Sequence, residues 1–529
     1  MRNMKNLFAY ALIAALLVGG SACTKLDEQL PGSYTKLFAD NNHGVGTKNN
    51  VNAAQPADGL QGAFTQVLNG TAGSGGFFAV EEIGTDEAVI TQKGGDWYDG
   101  GLYIRMHHHE FTPQTWAIND VWNNAYGGIF QCNTLLPTVT AAQAAQLRFL
   151  RAYFYWRLFD VFRNIPLVVT VGVSVGQSTP AQTYSFIESE LLAAIPDLPS
   201  GRQAYGRASQ GSAYALLARL RLNAGVYLGV TGAALNIELT KAVDAADAVI
   251  NSGSYNLATN YADVFAPDNC VSKSGAPYSA PDEMMFVAPF DEATGTGAQW
   301  AMMTLHYPSQ LTYKFTSQPW NGWATLEDFY NSYEAADLRR AANFIEGPQY
   351  IVGTTTTPVL DVAFDKADPD GAPLNFTPFI NELFPNSSRQ GGARIGKYSF
   401  KIGQTPDADN DFPLLRYGEV LLNKAEALQR MNGFGDGMAL SLVNQLRTRA
   451  GVTTFGSITE GEMLAERGRE LYSEALRRPD LIRFGVYGTA WWQKEIDPDA
   501  ATHNIMAIPI EQMQASATTP FPLTQNPGY

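Results

Sequence analysis

The stretch Leu147-Arg148-Phe149-Leu150-Arg151-Ala152-Tyr153-Phe154-Tyr155-Trp156-Arg157-Leu158-Phe159-Asp160-Val161 is where the fold can be read. Leu147, Leu150, Phe154, Leu158 and Val161 recur at spacings of three and four, which places them on one stripe of an α-helix. Asn164 and Pro166 end it. Phe186, Ile187, Leu191 and Leu192 mark a second helix. Ala213, Leu216, Leu217, Leu220 and Leu222 mark a third, opened by Ser209. Residues 238–250 are Ala-rich and helical, stopped at Gly253. Leu414, Tyr417, Leu421, Ala425 and Leu428 mark another, stopped at Gly433. Helices over 437–450 and 459–477 follow, ended by Gly451 and Pro479. Helices of this length in succession predict a mainly α chain of tetratricopeptide-like pairs. Two blocks break the pattern. Residues 70–113 are Gly-rich and aromatic, and residues 254–410 are long and irregular, with short strand-like runs such as Met284 to Val287. Long loops in a compact chain are usually functional.

Working outward, the N-terminus carries an export signal. Arg2 and Lys5 precede an apolar run from Leu7 to Val18, then Gly19, Gly20, Ser21 and Ala22, then Cys23. The run is too short to span a bilayer, which takes about 20 residues. A cysteine directly after the small residues resembles a bacterial lipoprotein signal, in which the thiol is lipidated and residues 1–22 are removed. Residues 23–58, rich in Asn, Gly and Asp, are expected to be a tether. The lysine and two acids in Thr24-Lys25-Leu26-Asp27-Glu28 resemble a surface-export signal of Bacteroidota lipoproteins.

The body is acidic. The 529 residues hold 36 basic and 51 acidic side chains, a net charge of −15. No basic stripe or RNA motif offsets this, so nucleic acid is excluded as a partner. Of three cysteines, Cys132 and Cys270 remain beside Cys23, and two buried free thiols are expected rather than a disulfide framework.

Several stretches together resemble the SusD/RagB family. The first runs from Leu150-Arg151-Ala152-Tyr153-Phe154-Tyr155-Trp156 to Ile165-Pro166-Leu167-Val168. The second is Arg207-Ala208-Ser209-Gln210-Gly211, continuing to Leu216-Leu217-Ala218-Arg219-Leu220. The third is Asp411-Phe412-Pro413-Leu414-Leu415-Arg416 with Glu419-Val420-Leu421-Leu422-Asn423-Lys424-Ala425-Glu426-Ala427. Asn444-Gln445-Leu446-Arg447-Thr448-Arg449-Ala450-Gly451-Val452 follows, and Leu523-Thr524-Gln525-Asn526-Pro527-Gly528-Tyr529 closes the chain. The family's usual Gly-His pair is missing from Glu470-Leu471-Tyr472-Ser473-Glu474-Ala475-Leu476-Arg477-Arg478. The resemblance implies an α-α superhelix with an N-terminal region over 59–253 and a C-terminal region over 254–529 that carries the loop-rich insertion 254–410. It also implies a non-enzymatic lipoprotein, anchored in the outer membrane and facing outward. Such proteins capture a glycan, or in some members peptides, for a SusC-like TonB-dependent barrel, and need no cofactor.

A sugar offers C–H faces that stack on flat rings and hydroxyls that need planar polar partners. Asp96-Trp97-Tyr98-Asp99 is the foremost candidate, with two rings and two carboxylates in a Gly-bounded loop. Gln318-Pro319-Trp320-Asn321-Gly322-Trp323 is the second, and Trp300 lies in the same block. The alternative is that these rings pack loops onto helices. Trp116, Trp122 and Trp156 fall in helical patterns and are expected in the core, while Trp491 and Trp492 follow no pattern. His107-His108-His109-Glu110 reads as a solvated loop, because adjacent residues do not converge on one ion. Asp407, Asp409 and Asp411 start like a calcium loop but lack its Gly and closing Glu. Glu81, Glu82, Asp86 and Glu87 offer a carboxylate pair for a rival glycosidase reading.

Overall fold

The computed structural model describes residues 58–201, 206–267, 269, 283–292, 297–361 and 371–529. The segment expected to be an export signal, Cys23, the expected tether to residue 57 and Cys270 lie outside them. Among the described residues, the helices of twelve residues or more are α1 (Trp116–Leu135), α2 (Ala141–Phe162), α3 (Pro180–Ala194), α4 (Gln210–Leu222), α5 (Gly232–Asn251), α6 (Tyr417–Asn432), α7 (Gly437–Arg449) and α8 (Glu460–Leu471). Capping boxes set several starts: Thr140 with Gln143 on α2, Thr179 with Gln182 on α3, Ser209 with Ser212 on α4 and Thr459 with Glu462 on α8. Each box satisfies backbone N–H groups that the first turn leaves unpaired.

Neighbouring helices pack in succession: α1 on α2, α2 on α3, α4 on α5, α5 on α6 and α6 on α7. This is the expected helix-pair array. Helix α2 is buried more fully than one stripe predicts. From Leu147 to Phe162 nearly every residue is buried, Arg151, Arg157 and Asp160 included. Helix α2 is therefore a central element, enclosed on all sides.

Short strands tie the loop blocks to this body. β1 (Ala88–Ile90) pairs antiparallel with β3 (Trp323–Thr325), and β2 (Met284–Ala288) with β4 (Phe412–Arg416). Leu414 thus sits on a strand rather than opening the helix stopped at Gly433. Its apolar period runs on from strand to helix and hides the boundary. The 70–113 block is less irregular than its composition suggests, since Gly76–Glu82 and Leu102–His107 are helical. The helix expected over 459–477 ends at Leu471, and Arg477–Arg483 forms another that contains Pro479. Proline is tolerated there because first-turn N–H groups have no partner within the helix. Trp122 and Trp156 are buried, whereas Trp116 is exposed at the first residue of α1.

Buried ion pairs join the C-terminal helices to the loops. Arg416 donates to Glu283, Glu470 and Glu474. Arg339 donates to Asp337, Glu466 and Glu470, and Arg449 pairs with Glu283 and Glu470. Burial alone would raise the Glu470 carboxyl. The guanidinium groups of Arg449, Arg416 and Arg339 hold it well below the carboxylate range instead. The turn between α8 and Arg477 is held by acids from the first loop block. Glu87 accepts from the Ser473 amide, Glu82 from the Ala475 amide, and Asp86 pairs with Arg477 through both oxygens. Glu81 shares Arg478 with Asp160. All four acids of the glycosidase reading are thus committed to structural partners, and Glu81, Glu82 and Glu87 are fully buried.

His107 and His109 are buried, which corrects the solvated-loop reading for those two, while His108 is half-buried and Glu110 exposed. His107 Nε2 meets the Trp492 carbonyl at 2.8 Å and His108 Nε2 the Gln493 carbonyl at 2.9 Å. His109 lies between the Gly84 carbonyl and Asp497 and stacks on Tyr487 at 4.1 Å. Cys132 is buried and free, and burial pushes its thiol up to about 12.

Candidate functional site

Two loops far apart in sequence meet at the surface. The first leaves β1 at Thr91 and turns tightly, with the amides of Lys93 and Asp96 each donating to the other's carbonyl. Trp97 and Asp99 then take left-handed backbone, with φ of 59° and 42°, before the helix Leu102–His107. The second loop is pinned on the short helix Trp300–Thr304. The amide of Trp320 donates to Met302 O at 2.6 Å, that of Asn321 to Leu305 O at 2.8 Å and that of Gly322 to Met303 O at 2.8 Å. Asn321 is also left-handed, with φ of 59°. Non-glycine residues held in this region cost on the order of 1–3 kcal/mol each, and such strain clusters where a surface is pre-shaped for a ligand.

The loops lock together through Trp97. Its indole N–H donates to the Trp320 carbonyl at 2.6 Å. Its ring lies over Gly322, where an added Cβ would fall 2.4 Å from the ring, so only glycine fits. Tyr103 packs on Trp97 at 5.7 Å. Lys93 reaches beneath the turn and donates its Nζ to Thr91 O and Gly322 O.

A third loop completes the platform. Gly94 N donates to Pro385 O, and Arg389 extends from that loop to Asp96 Oδ2 at 2.6 Å and the Tyr307 hydroxyl at 3.0 Å. The Arg389 guanidinium also lies over the Tyr307 ring at 5.1 Å. Behind them, the Asn321 amide donates to His306 Nδ1 at 3.0 Å, and His306 Nε2 faces Asp361 at 2.8 Å. Burial lowers the His306 imidazole below its usual range, against the opposing pull of Asp361. With Nδ1 accepting, Nε2 carries the proton and donates to Asp361.

The structure divides the sequence-derived candidates. Tyr98 is 52% exposed and Trp320 41% exposed, Asp99 is exposed, and Asp96 and Trp97 are half-buried. Trp97 is tied to the Trp320 backbone, and Asp96, Tyr98 and Asp99 flank Trp97 in its own loop. Trp300, Trp323 and Asn321 do not present side chains at the surface. Trp300 is 1% exposed and stacks on Tyr398 at 4.3 Å, and Trp323 is fully buried against Phe78. The reason is periodic: Trp323 opens β3, whose three residues are all buried, and Trp300 opens a helix that is buried throughout. Buried Asn321 orders the loop from below. Two platform residues, Tyr307 and Arg389, were not singled out from the sequence. An isolated arginine in Ser388-Arg389-Gln390-Gly391-Gly392, within the irregular block, is the one signal that could have marked one of them.

Chemically the surface offers flat rings beside carboxylate, phenol and guanidinium groups. That combination suits neutral polyhydroxyl rings, which stack on one face and hydrogen-bond at the rim. Among the described residues, no three His, Cys, Asp or Glu side chains are grouped to hold a metal ion. Asp409 pairs with Lys401 at 2.7 Å, and Asp411 accepts from the Phe290 amide.

Comparison with known proteins bears on the fold. Residues 280–529 match the SusD family, and residues 64–222 match a family described as starch-binding and associating with the outer membrane. The starch-binding protein SusD of Bacteroides thetaiotaomicron is 26% identical, over 100% of this chain and 99% of that protein. A SusD-like protein of Formosa agariphila is 24% identical over 79% of this chain and 80% of its own length. Among solved structures, a laminarin-binding SusD-like protein superposes with a TM-score of 0.65 at 22% identity, covering 88% of this chain and 97% of its own. Surface glycan-binding protein A of Bacteroides thetaiotaomicron, in complex with laminarihexaose, gives a TM-score of 0.64 at 20% identity with the same coverage. Sequence matches on both halves of the body and the shared helix-pair fold agree, and this chain belongs to the SusD/RagB family.

Proposed function

We propose that this chain is a cell-surface, lipid-anchored binder of oligosaccharides that hands its cargo to a SusC-like TonB-dependent outer-membrane barrel. One observation carries the binding half: the Trp97–Trp320 junction holds Tyr98, Trp320, Asp96 and Asp99 together at the surface as a rigid aromatic and polar platform. Starch and laminarin binding among the relatives supports a glycan as cargo. The chain is a binder and not an enzyme in this reading, and the acids nearest to a catalytic pair are committed to Arg477, Arg478 and the 473–475 backbone. The anchor is assigned to Cys23 and the barrel to the family's partner.

Titration of the purified chain with maltoheptaose, laminarihexaose and a wider glycan array tests the binding half. Saturable binding without release of reducing ends is expected. Release of reducing ends establishes a glycosidase instead. A silent array beside a positive peptide screen transfers the platform to peptides, as in the RagB branch of the family. Copurification of a large barrel with the tagged chain tests the partner. Loss of the chain from the membrane fraction on Cys23→Ala tests the anchor.

A further inference from the structure

A second ring-lined hollow lies at the other end of the β1–β3 strand pair. The platform is reached from the Ile90–Trp323 end, whereas Asp86 and Leu326 flank the Ala88–Thr325 end, about 7 Å away along two residue steps of strand. The hollow holds about 230 Å³, and the wall lining it includes Trp491 and Trp492, the edge of buried Phe329, the acids Asp86 and Asp328, Ser332 and Arg477.

This wall is rigidly built. Trp491 and Lys494 exchange backbone hydrogen bonds at 3.1 and 2.9 Å, closing the turn that carries both indoles. The Trp492 carbonyl is held by His107, and the Gln493 side chain accepts from the Leu383 amide at 3.0 Å. Lys494 caps one face of the Trp491 ring, its Nζ 3.9 Å from the centroid and itself bound to Thr489 O and Glu495 O. The rings are therefore positioned before any ligand arrives. The Trp491 indole N–H has no acceptor among the described residues, although the atom is buried. Asp86 spends one lone pair of each oxygen on Arg477 at 2.6 and 2.7 Å, which leaves acceptor capacity on a carboxylate that is one-third exposed.

The size and the mixture of surfaces select the ligand. The volume is below the 300–1,000 Å³ usual for drug-sized ligands, so it accepts one small ring and not a chain. Flat aromatic walls with carboxylate and hydroxyl acceptors in the same lining match the faces and edges of a pyranose. A cation is the poorer fit, because Arg477 already neutralises Asp86 and Lys494 already occupies one face of Trp491. We infer that the Trp491–Trp492 hollow is a second carbohydrate subsite, which takes a single pyranose unit independently of the Trp97–Trp320 platform. The choice of a sugar rests on the glycan-binding reading above, while the existence of the site rests on its own geometry.

The test labels the tryptophans of the full chain with 5-fluorotryptophan and assigns their fluorine resonances with single Trp→Phe variants. Glucose, galactose, mannose and laminarihexaose are titrated, with tetramethylammonium as the cation probe. Saturable shifts at Trp491 and Trp492 on addition of a hexose are expected. They persist in the Trp97→Ala/Trp320→Ala double variant. Trp492→Ala weakens the hexose response roughly three- to tenfold, in line with loss of one stacking ring. Asp328→Ala, at an exposed position that leaves the fold intact, also weakens it. Responses at Trp97 and Trp320 to laminarihexaose with none at Trp491 or Trp492 overturn the second subsite and leave the proposed function standing. Hexose responses at Trp491 and Trp492 alone uphold the second subsite and overturn the platform. Shifts with tetramethylammonium and none with sugars overturn the carbohydrate assignment in favour of a cation cage.

Discussion

The indole nitrogen of Trp97 and the backbone carbonyl of Trp320 are 2.6 Å apart across 223 residues of sequence. Together with the bond from Lys93 Nζ to Gly322 O, that bond joins the two loops, and it requires Gly322 beneath the ring. Gly322→Ala is therefore expected to displace the indole. Overpacking of this kind costs about 1–3 kcal/mol, and the glycan platform loses its shape with it. Denaturant unfolding measures the first effect and titration with a glycan bound by the unaltered chain the second. Unchanged affinity in a fully folded Gly322→Ala variant counts against the platform.

Trp320 and Trp323 are three residues apart and have opposite roles. Trp320→Ala removes an exposed ring, so stability is expected to change by less than about 0.5 kcal/mol. Glycan affinity drops roughly two- to tenfold, the equivalent of about 0.5–1.5 kcal/mol of stacking. Trp323→Ala empties a buried site and costs about 3–5 kcal/mol. Calorimetry on both variants, for melting and for binding, separates them. A destabilised Trp320→Ala chain with normal binding contradicts the assignment.

Glu470 governs the acid limit. It is buried between Arg416, Arg449 and Arg339, and its folded-state pKa is depressed below the ordinary 4.5. A depressed acid contributes stability above its unfolded pKa and loses it as pH falls toward the folded value. Melting temperature is therefore expected to decline as the pH drops below about 4.5. Glu470→Gln removes the carboxylate shared by three guanidinium groups, which keep Glu283, Glu474, Asp337 and Glu466, and costs up to about 3–5 kcal/mol at neutral pH. A variant as stable as the parent at pH 7 removes the network from this role.

At the other end of the scale stand Glu81, Glu82 and Glu87. Burial raises Glu81 from 4.5 to about 8, since one guanidinium, Arg478, serves both Glu81 and Asp160. Burial and the neighbouring Glu87 charge raise Glu82 as well. Raised acids stabilise fully below their unfolded pKa and lose that contribution as pH climbs through the folded value. Stability is expected to fall between pH 4.5 and 8 for Glu81. Glu82→Gln mimics the protonated form, because Glu87 lies within hydrogen-bond reach of Glu82 and an amide there has an N–H to donate. The variant should melt higher than the parent at alkaline pH, and a pH series of thermal scans reads the difference. Parallel curves for the two proteins rule out titration of Glu82.

Much of the helical body is legible from residue order because its signals are local. The 3.6-residue period of α2 and the capping residues Ser209, Thr459 and Thr179 act within a turn or two of the backbone. Where the reading missed, the local signal was ambiguous. Leu414 continues an apolar period from β4 into α6, and Pro479 reads as a stop although it sits harmlessly in a first turn. The histidine run looks solvated because its partners, Trp492, Gln493 and Asp497, lie in a C-terminal loop.

Sequence alone marked two loop stretches where aromatic and acidic residues stand together, and these are the stretches that meet through Trp97 and Trp320. It did not separate the ring that faces outward from the ring three residues later. That separation belongs to tertiary structure, because burial depends on which loop closes over which face. Trp323 is sealed by β1 and Phe78, Trp320 is left out by backbone bonds to Met302, and Arg389 reaches Asp96 across 293 residues. Periodicity and capping operate over a few residues, whereas the platform is assembled from contacts hundreds of residues apart, which only the folded chain brings within reach.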